Sequence, residues 1–218
     1  MKTLIFDLDG TILDTLVDLK NAVNHGLKSK NLPEKDLEFV RRAIGNGTQV
    51  LIKRCTPDSL PDDERQIVFK TFKSYYLNHY CDDTKPYPGI LDILTELKGK
   101  CHLAVVSNKD DDLTKKLIEK EFPNLFDIIQ GSFFDQPKKP HPYLINKVLK
   151  DNGIDKKDCL YIGDTDVDKE SAINAGLDYL LVNYGYRTKD ELEKTCPDDM
   201  SISDTESLLK QILLWVNL

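Results

Sequence analysis

Asp7 and Asp9 stand one residue apart and run directly into Gly10 and Thr11, and a second acidic group, Asp164, Asp166 and Asp168, follows Gly163. Carboxylates gathered around one point repel one another, and a hard divalent cation is the simplest remedy. Mg²⁺ suits such a set because it accepts carboxylate and carbonyl oxygens while keeping sites for water or phosphate oxygens. The histidine and cysteine ligands of a zinc site are missing from both stretches. Ser107 and Lys139 lie between the two groups and offer a hydroxyl and an ammonium to an anion.

The elements that must position these residues can be read from hydrophobic patterning. Residues 3–6, 103–106 and 160–163 are short continuous apolar runs that lead into Asp7, Ser107 and Asp164, and residues 179–182 form a fourth. Runs of this kind predict strands buried on both faces of a parallel sheet. Helical periodicity over 90–97, 110–121, 142–152, 168–175 and 204–216 separates or follows them, which predicts an α/β doubly wound, Rossmann-like core. Ligands of open parallel sheets bind beyond the carboxyl ends of the strands. Three polar residues at three such ends therefore point to one crevice. Any one of them alone would read as an ordinary loop residue.

Between residues 14 and 85 the pattern is helical throughout, with stretches near 16–28, 34–44, 48–54 and 62–80 broken by Pro33, Gly45, Gly47, Pro57 and Pro61. This predicts an all-helical domain over 14–85 inserted into a core formed by 1–13 and 86–218. The 218 residues carry a formal charge of -7 with both signs interspersed, which argues against a nucleic-acid face. Five scattered cysteines, Cys55, Cys81, Cys101, Cys159 and Cys196, make neither a disulfide framework nor a zinc pattern. No run is long enough to span a membrane, and a strand pattern begins almost at Met1, so the cytoplasm is the expected location.

Asp7-Leu8-Asp9-Gly10-Thr11 resembles the first signature of the haloacid dehalogenase superfamily. Ser107-Asn108, Lys139-Pro140 and Gly163-Asp164 through Asp168 resemble its second, third and fourth, in the family's order. The helical block sits where that family carries its cap. The resemblance implies a Mg²⁺-dependent phosphatase in which Asp7 is the nucleophile and Asp9 the general acid and base. It also implies that Asp7, Asp164 and the Asp9 backbone carbonyl hold the metal. Asp168 would reach the metal through water or orient Lys139, while Ser107, Asn108 and Lys139 would contact the phosphoryl group. Lys139 is preferred over its neighbour Lys138 because the family's lysine directly precedes the proline.

Secondary matches, among them Ser107-Asn108-Lys109 and Tyr184-Gly185-Tyr186, resemble phosphoglycolate phosphatases. They imply a small phosphorylated metabolite as substrate, with monomer and homodimer both open. Gly45, Asn46 and Gly47 are the candidate substrate-reading loop, because two glycines allow close backbone approach and a helix start follows. A plain helix–helix turn explains the loop equally well. Two other functions fit the same fold: a sugar phosphomutase of the β-phosphoglucomutase kind, and a binding module without chemistry. The intact acids and lysine argue against the second.

Overall fold

Leu4, Ile5 and Phe6 are completely buried, which for a strand requires cover on both faces of the sheet. In the computed structural model, which describes residues 1–217, they form the centre of the α/β unit. That unit comprises Met1–Leu13 and Pro86–Leu218, and a separate helical unit comprises Asp14–Lys85. The chain passes between them at two two-residue strands, β2 (Leu13–Asp14) and β3 (Lys85–Pro86), after β1 (Thr3–Phe6).

In the α/β unit the chain continues through α5 (Ile90–Leu97), β4 (His102–Asp110), α6 (Asp111–Glu121), β5 (Ile128–Ser132) and α7 (Tyr143–Asn152). It then runs through β6 (Cys159–Gly163), α8 (Asp166–Ala175), β7 (Asp178–Val182), α9 (Lys189–Thr195), β8 (Ser201–Ile202) and α10 (Thr205–Val216). The parallel sheet has the order β5-β4-β1-β6-β7-β8. From β1 the chain builds outward on one side through β4 and β5, then returns to the other side through β6. The strand order therefore reverses between β1 and β6, where Phe6 pairs with Ile162. A crevice opens at such a reversal in doubly wound sheets, and Asp7 and Asp164 stand just past it.

Helix starts follow local capping chemistry. Thr165 accepts from the Asp168 backbone N–H and Asp168 returns the bond, a capping box that starts α8 at Asp166, two residues before the periodicity alone suggests. β5, β8 and α9 were not legible as elements from apolar runs. One face of the sheet is filled by Ile5, Ala104, Val106, Tyr161 and the inner faces of α7 and α8.

The helical unit consists of α1 (Leu16–Lys28), α2 (Leu37–Ala43), α3 (Thr48–Cys55) and α4 (Asp62–His79). Phe72 and Tyr76 of α4 are buried in it with their rings stacked. Asp18 in the first turn of α1 accepts from Asp83 N, Thr84 N and Thr84 Oγ1, fastening the end of the unit to its start.

Candidate active site

Four segments of the α/β unit meet at the carboxyl end of the sheet. Asp7 continues β1, and its backbone N–H still donates to Ile162 O of β6. Asp164 directly follows β6, and Asp168 lies one turn further on in α8. Oxygens of these three carboxylates lie within 4.8 Å of one another. Lys139, from the loop before α7, enters this group with its side chain 1% exposed. Its Nζ lies 2.8 Å from Asp7 Oδ1 and 2.7 Å from Asp168 Oδ1. Lys138 does not take that place.

Asp168 is held by more than Lys139. Its Oδ1 also accepts from Tyr161 Oη, and its Oδ2 accepts from Thr165 N, Thr165 Oγ1 and Asp164 N. Both carboxylate oxygens of Asp168 are thus engaged by donors. Its ion pair with Lys139 is in keeping with orienting that lysine, and its carboxylate also belongs to the three-acid group that could hold a metal. Asn108 acts on the same lysine from the other side: Oδ1 accepts from Lys139 N at 2.7 Å and Nδ2 donates to Lys139 O at 3.1 Å. Its amide, read from sequence as a substrate contact, bonds the lysine backbone at both ends.

The charges do not balance. Lys139 is the cation paired with Asp7 and Asp168, and Asp164 is buried beside them. Burial pushes the Asp7 carboxyl up to about 7, against the pull of Lys139 and with help from Asp168. Burial, then the charges of Asp168 and Asp7, drives Asp164 well above the carboxylate range. Burial also opposes the charge on Asp168, but Lys139 and Thr165 outweigh it and hold this carboxyl below its ordinary value. The counterpart is Lys139: burial disfavours its charge, yet Asp168 and Asp7 raise its pKa well above that of a free lysine. Asp7 Oδ1 is moreover buried without a directed hydrogen bond, its approach to Lys139 being an ion pair by distance only. Buried oxygen donors with surplus negative charge fit a hard divalent cation.

The family model for haloacid dehalogenase-like hydrolases matches residues 4–182. The chain belongs to the haloacid dehalogenase-like hydrolase family. It is 35% identical over 212 residues to a phosphoglycolate phosphatase of Aquifex aeolicus, with 96% of each chain covered. A phosphoglycolate phosphatase of Aliivibrio fischeri is 31% identical with 92% of each covered. A crystal structure of a Lactobacillus delbrueckii subsp. bulgaricus protein superposes with a TM-score of 0.89 at 32% identity, covering 97% of this chain and 99% of that one. Within the haloacid dehalogenase-like hydrolases, this chain is a phosphatase.

In this hydrolase three further residues serve the site without having been legible as site residues in the sequence. Thr11 Oγ1 donates to Asp164 Oδ1 at 2.9 Å, and Tyr186 N donates to Oδ2 at 2.6 Å. Lys109 Nζ lies 2.8 and 3.0 Å from the two carboxylate oxygens of Asp9. The Asp164 carboxylate fills the space between two glycine backbones. Gly10 has φ +88°, and a Cβ there would lie 2.4 Å from Asp164 Oδ2; a Cβ on Gly185 would lie 2.0 Å from Gly10 O and 2.6 Å from Asp164 Oδ2. Gly185 thus explains why the Tyr184-Gly185-Tyr186 stretch matters. Gly185→Ala is expected to displace Asp164 and weaken divalent-metal binding about 10- to 100-fold, the scale of losing a ligand's support. Metal titration followed by calorimetry checks this, and unchanged affinity would contradict the packing argument.

Gly45, Asn46 and Gly47 belong to the helical unit, where they join α2 to α3. Arg54 braces the loop by donating to Ala43 O and Asn46 Oδ1, both at 2.8 Å. His141 is exposed and accepts from Tyr143 N, a loop role. All five cysteines are unbridged, and none of the described helices is long and apolar enough to cross a membrane.

Proposed function

We propose that this phosphatase is Mg²⁺-dependent, hydrolyses phosphoglycolate or a similarly small phosphorylated metabolite, and passes through an aspartyl-phosphate on Asp7. The observation that carries the reading is the buried surplus of carboxylates around Lys139. The names of the relatives support the substrate. Their similarity extends over nearly the whole chain.

Asp7 is the nucleophile: one oxygen attacks phosphorus in line, giving an acyl phosphate that splits one hard displacement into two easier ones. Asp9 gives its proton to the leaving oxygen in the first half and takes one from the attacking water in the second. Lys139 neutralises charge on Asp7 and on the transferred group, and Ser107 donates to a phosphoryl oxygen. Asp168, Tyr161 and Asn108 hold Lys139 for that task. The Asp7 and Asp164 carboxylates and the Asp9 carbonyl would hold Mg²⁺, which when bound would supply positive charge to offset repulsion between nucleophile and substrate. The helical unit is the cap in this reading, with Gly45, Asn46 and Gly47 as its substrate-reading loop. Five unbridged cysteines suit a cytoplasmic enzyme.

The test is phosphate release from a panel of phosphorylated metabolites, phosphoglycolate included, with and without chelator. Turnover of phosphoglycolate that stops on chelation and returns with added Mg²⁺ is expected. Turnover indifferent to chelation would contradict the metal, and an isomeric sugar phosphate formed without phosphate release would point to a mutase.

A further inference from the structure

We propose that Lys109 is the positioning residue for Asp9: it grips both oxygens of the proton-transferring carboxylate and holds it in place through the two half-reactions. The inference rests on the reading of Asp9 given above.

The local fold brings Lys109 there. β4 is paired with β5 in regular register as far as Val106, and the register then shifts before Asp110 meets Ser132. A bulge re-aims side chains that strict alternation would send to opposite faces. Ser107, Asn108 and Lys109 are all buried there. Ser107 is the candidate phosphoryl contact, and Asn108 clamps the backbone of Lys139. Lys109 turns its ammonium to Asp9, at 2.8 Å from Oδ1 and 3.0 Å from Oδ2. The Lys109 side chain is 3% exposed and that of Asp9 15%, so water screens the pair weakly. Lys109 N also donates to Ser107 Oγ, at 3.2 Å, tying both residues into one turn.

The chemistry needs such a grip. In the first half-reaction a bond forms between an Asp7 oxygen and phosphorus, the bond to the leaving oxygen breaks, and that oxygen takes the Asp9 proton. Asp9 is left as a carboxylate. In the second half a water oxygen bonds to phosphorus, its proton passes to Asp9, and the electron pair of the broken bond returns to Asp7. Between the two steps Asp9 must stay aimed at one spot although its leaving-group partner has gone. Lys109 provides a contact that persists. Lys139 cannot do so, because it is engaged with Asp7 and Asp168.

The leaving group provides the test. An alkyl phosphate such as phosphoglycolate needs its leaving oxygen protonated, whereas para-nitrophenyl phosphate expels an anion that does not. kcat/KM reports the steps through phosphoryl transfer to Asp7 for both. Asp9→Asn is expected to lower kcat/KM for phosphoglycolate about 10²–10⁴-fold and that for the aryl ester far less. Lys109→Met is expected to follow the same pattern, with a loss of about 10- to 100-fold for phosphoglycolate against at most about 3-fold for the aryl ester. Lys109→Arg should recover part of the loss, and Lys109→Met combined with Asp9→Asn should be no worse than Asp9→Asn alone. The ratio of the two substrates within one variant is unaffected by how much of it is folded. Equal losses on both substrates in Lys109→Met, or fully additive losses in the double variant, would overturn the role of Lys109 while leaving Asp9 as read. An unchanged ratio in Asp9→Asn would overturn the reading of Asp9 and this proposal with it.

Discussion

Asp7→Asn is expected to abolish phosphate release, by on the order of 10⁴-fold or more, the scale of losing a covalent nucleophile, while the protein stays folded. The change replaces one oxygen by an amide nitrogen of nearly the same size. In the metal-free protein it also removes a cost. Native Asp7 keeps its proton up to about 7, whereas an unfolded aspartate releases it near 3.8. Between those values the native state binds more protons than the unfolded one, so this group makes stability fall as pH rises. Asn carries no such proton. With chelator present, Asp7→Asn should therefore match the native chain near pH 4 and unfold at a higher temperature than it near pH 7.5. Thermal unfolding across that range checks the sign. A variant that became relatively less stable as pH rose would contradict the burial argument.

Lys139→Met is expected to have the largest combined effect on stability and activity. Lys139 is the ammonium between Asp7 and Asp168, and its side chain is 1% exposed. Removing one partner of a buried ion pair costs about 3–5 kcal/mol, because the remaining charge is left without compensation; here two carboxylates lose their partner. Urea unfolding of the chelated protein should show that loss. Activity should fall on the order of 10²–10³-fold or more even with Mg²⁺ present, since the donor that offsets charge on the phosphoryl group is gone. Tyr161→Phe provides the contrast. It removes the hydroxyl that donates to Asp168 and accepts from Lys139 but keeps the lysine's charge in place, so it should cost only about 1–2 kcal/mol.

The strands that carry the site were legible because their chemistry is one-sided. Leu4-Ile5-Phe6 and Leu160-Tyr161-Ile162 are apolar without interruption, as a doubly covered sheet demands. β5 lacks that signal, since Gln130, Gly131 and Ser132 make up its second half. α9 buries Leu192 as its apolar anchor, and its start depends on the Thr188–Glu191 capping box rather than on periodicity. The acids were legible as a group because like charges crowded at strand ends need a reason. Their supports were not. Thr11 reaches Asp164 across 153 positions and Lys109 reaches Asp9 across 100, and local patterning carries no trace of such pairings. Asn108 illustrates a different limit. Its residue type announces hydrogen bonding, but that its partner is the Lys139 backbone depends on how two loops meet.

The most direct test of the mechanism is to look for the covalent intermediate. Enzyme mixed with phosphoglycolate and Mg²⁺ is quenched in acid within a single turnover, digested, and its peptides are read by mass spectrometry. A phosphoryl group on Asp7, present in the native chain and missing from Asp7→Asn, is the predicted result. Steady turnover with no phosphorylated Asp7 at any quench time, or a phosphoryl group found on another residue, would contradict it.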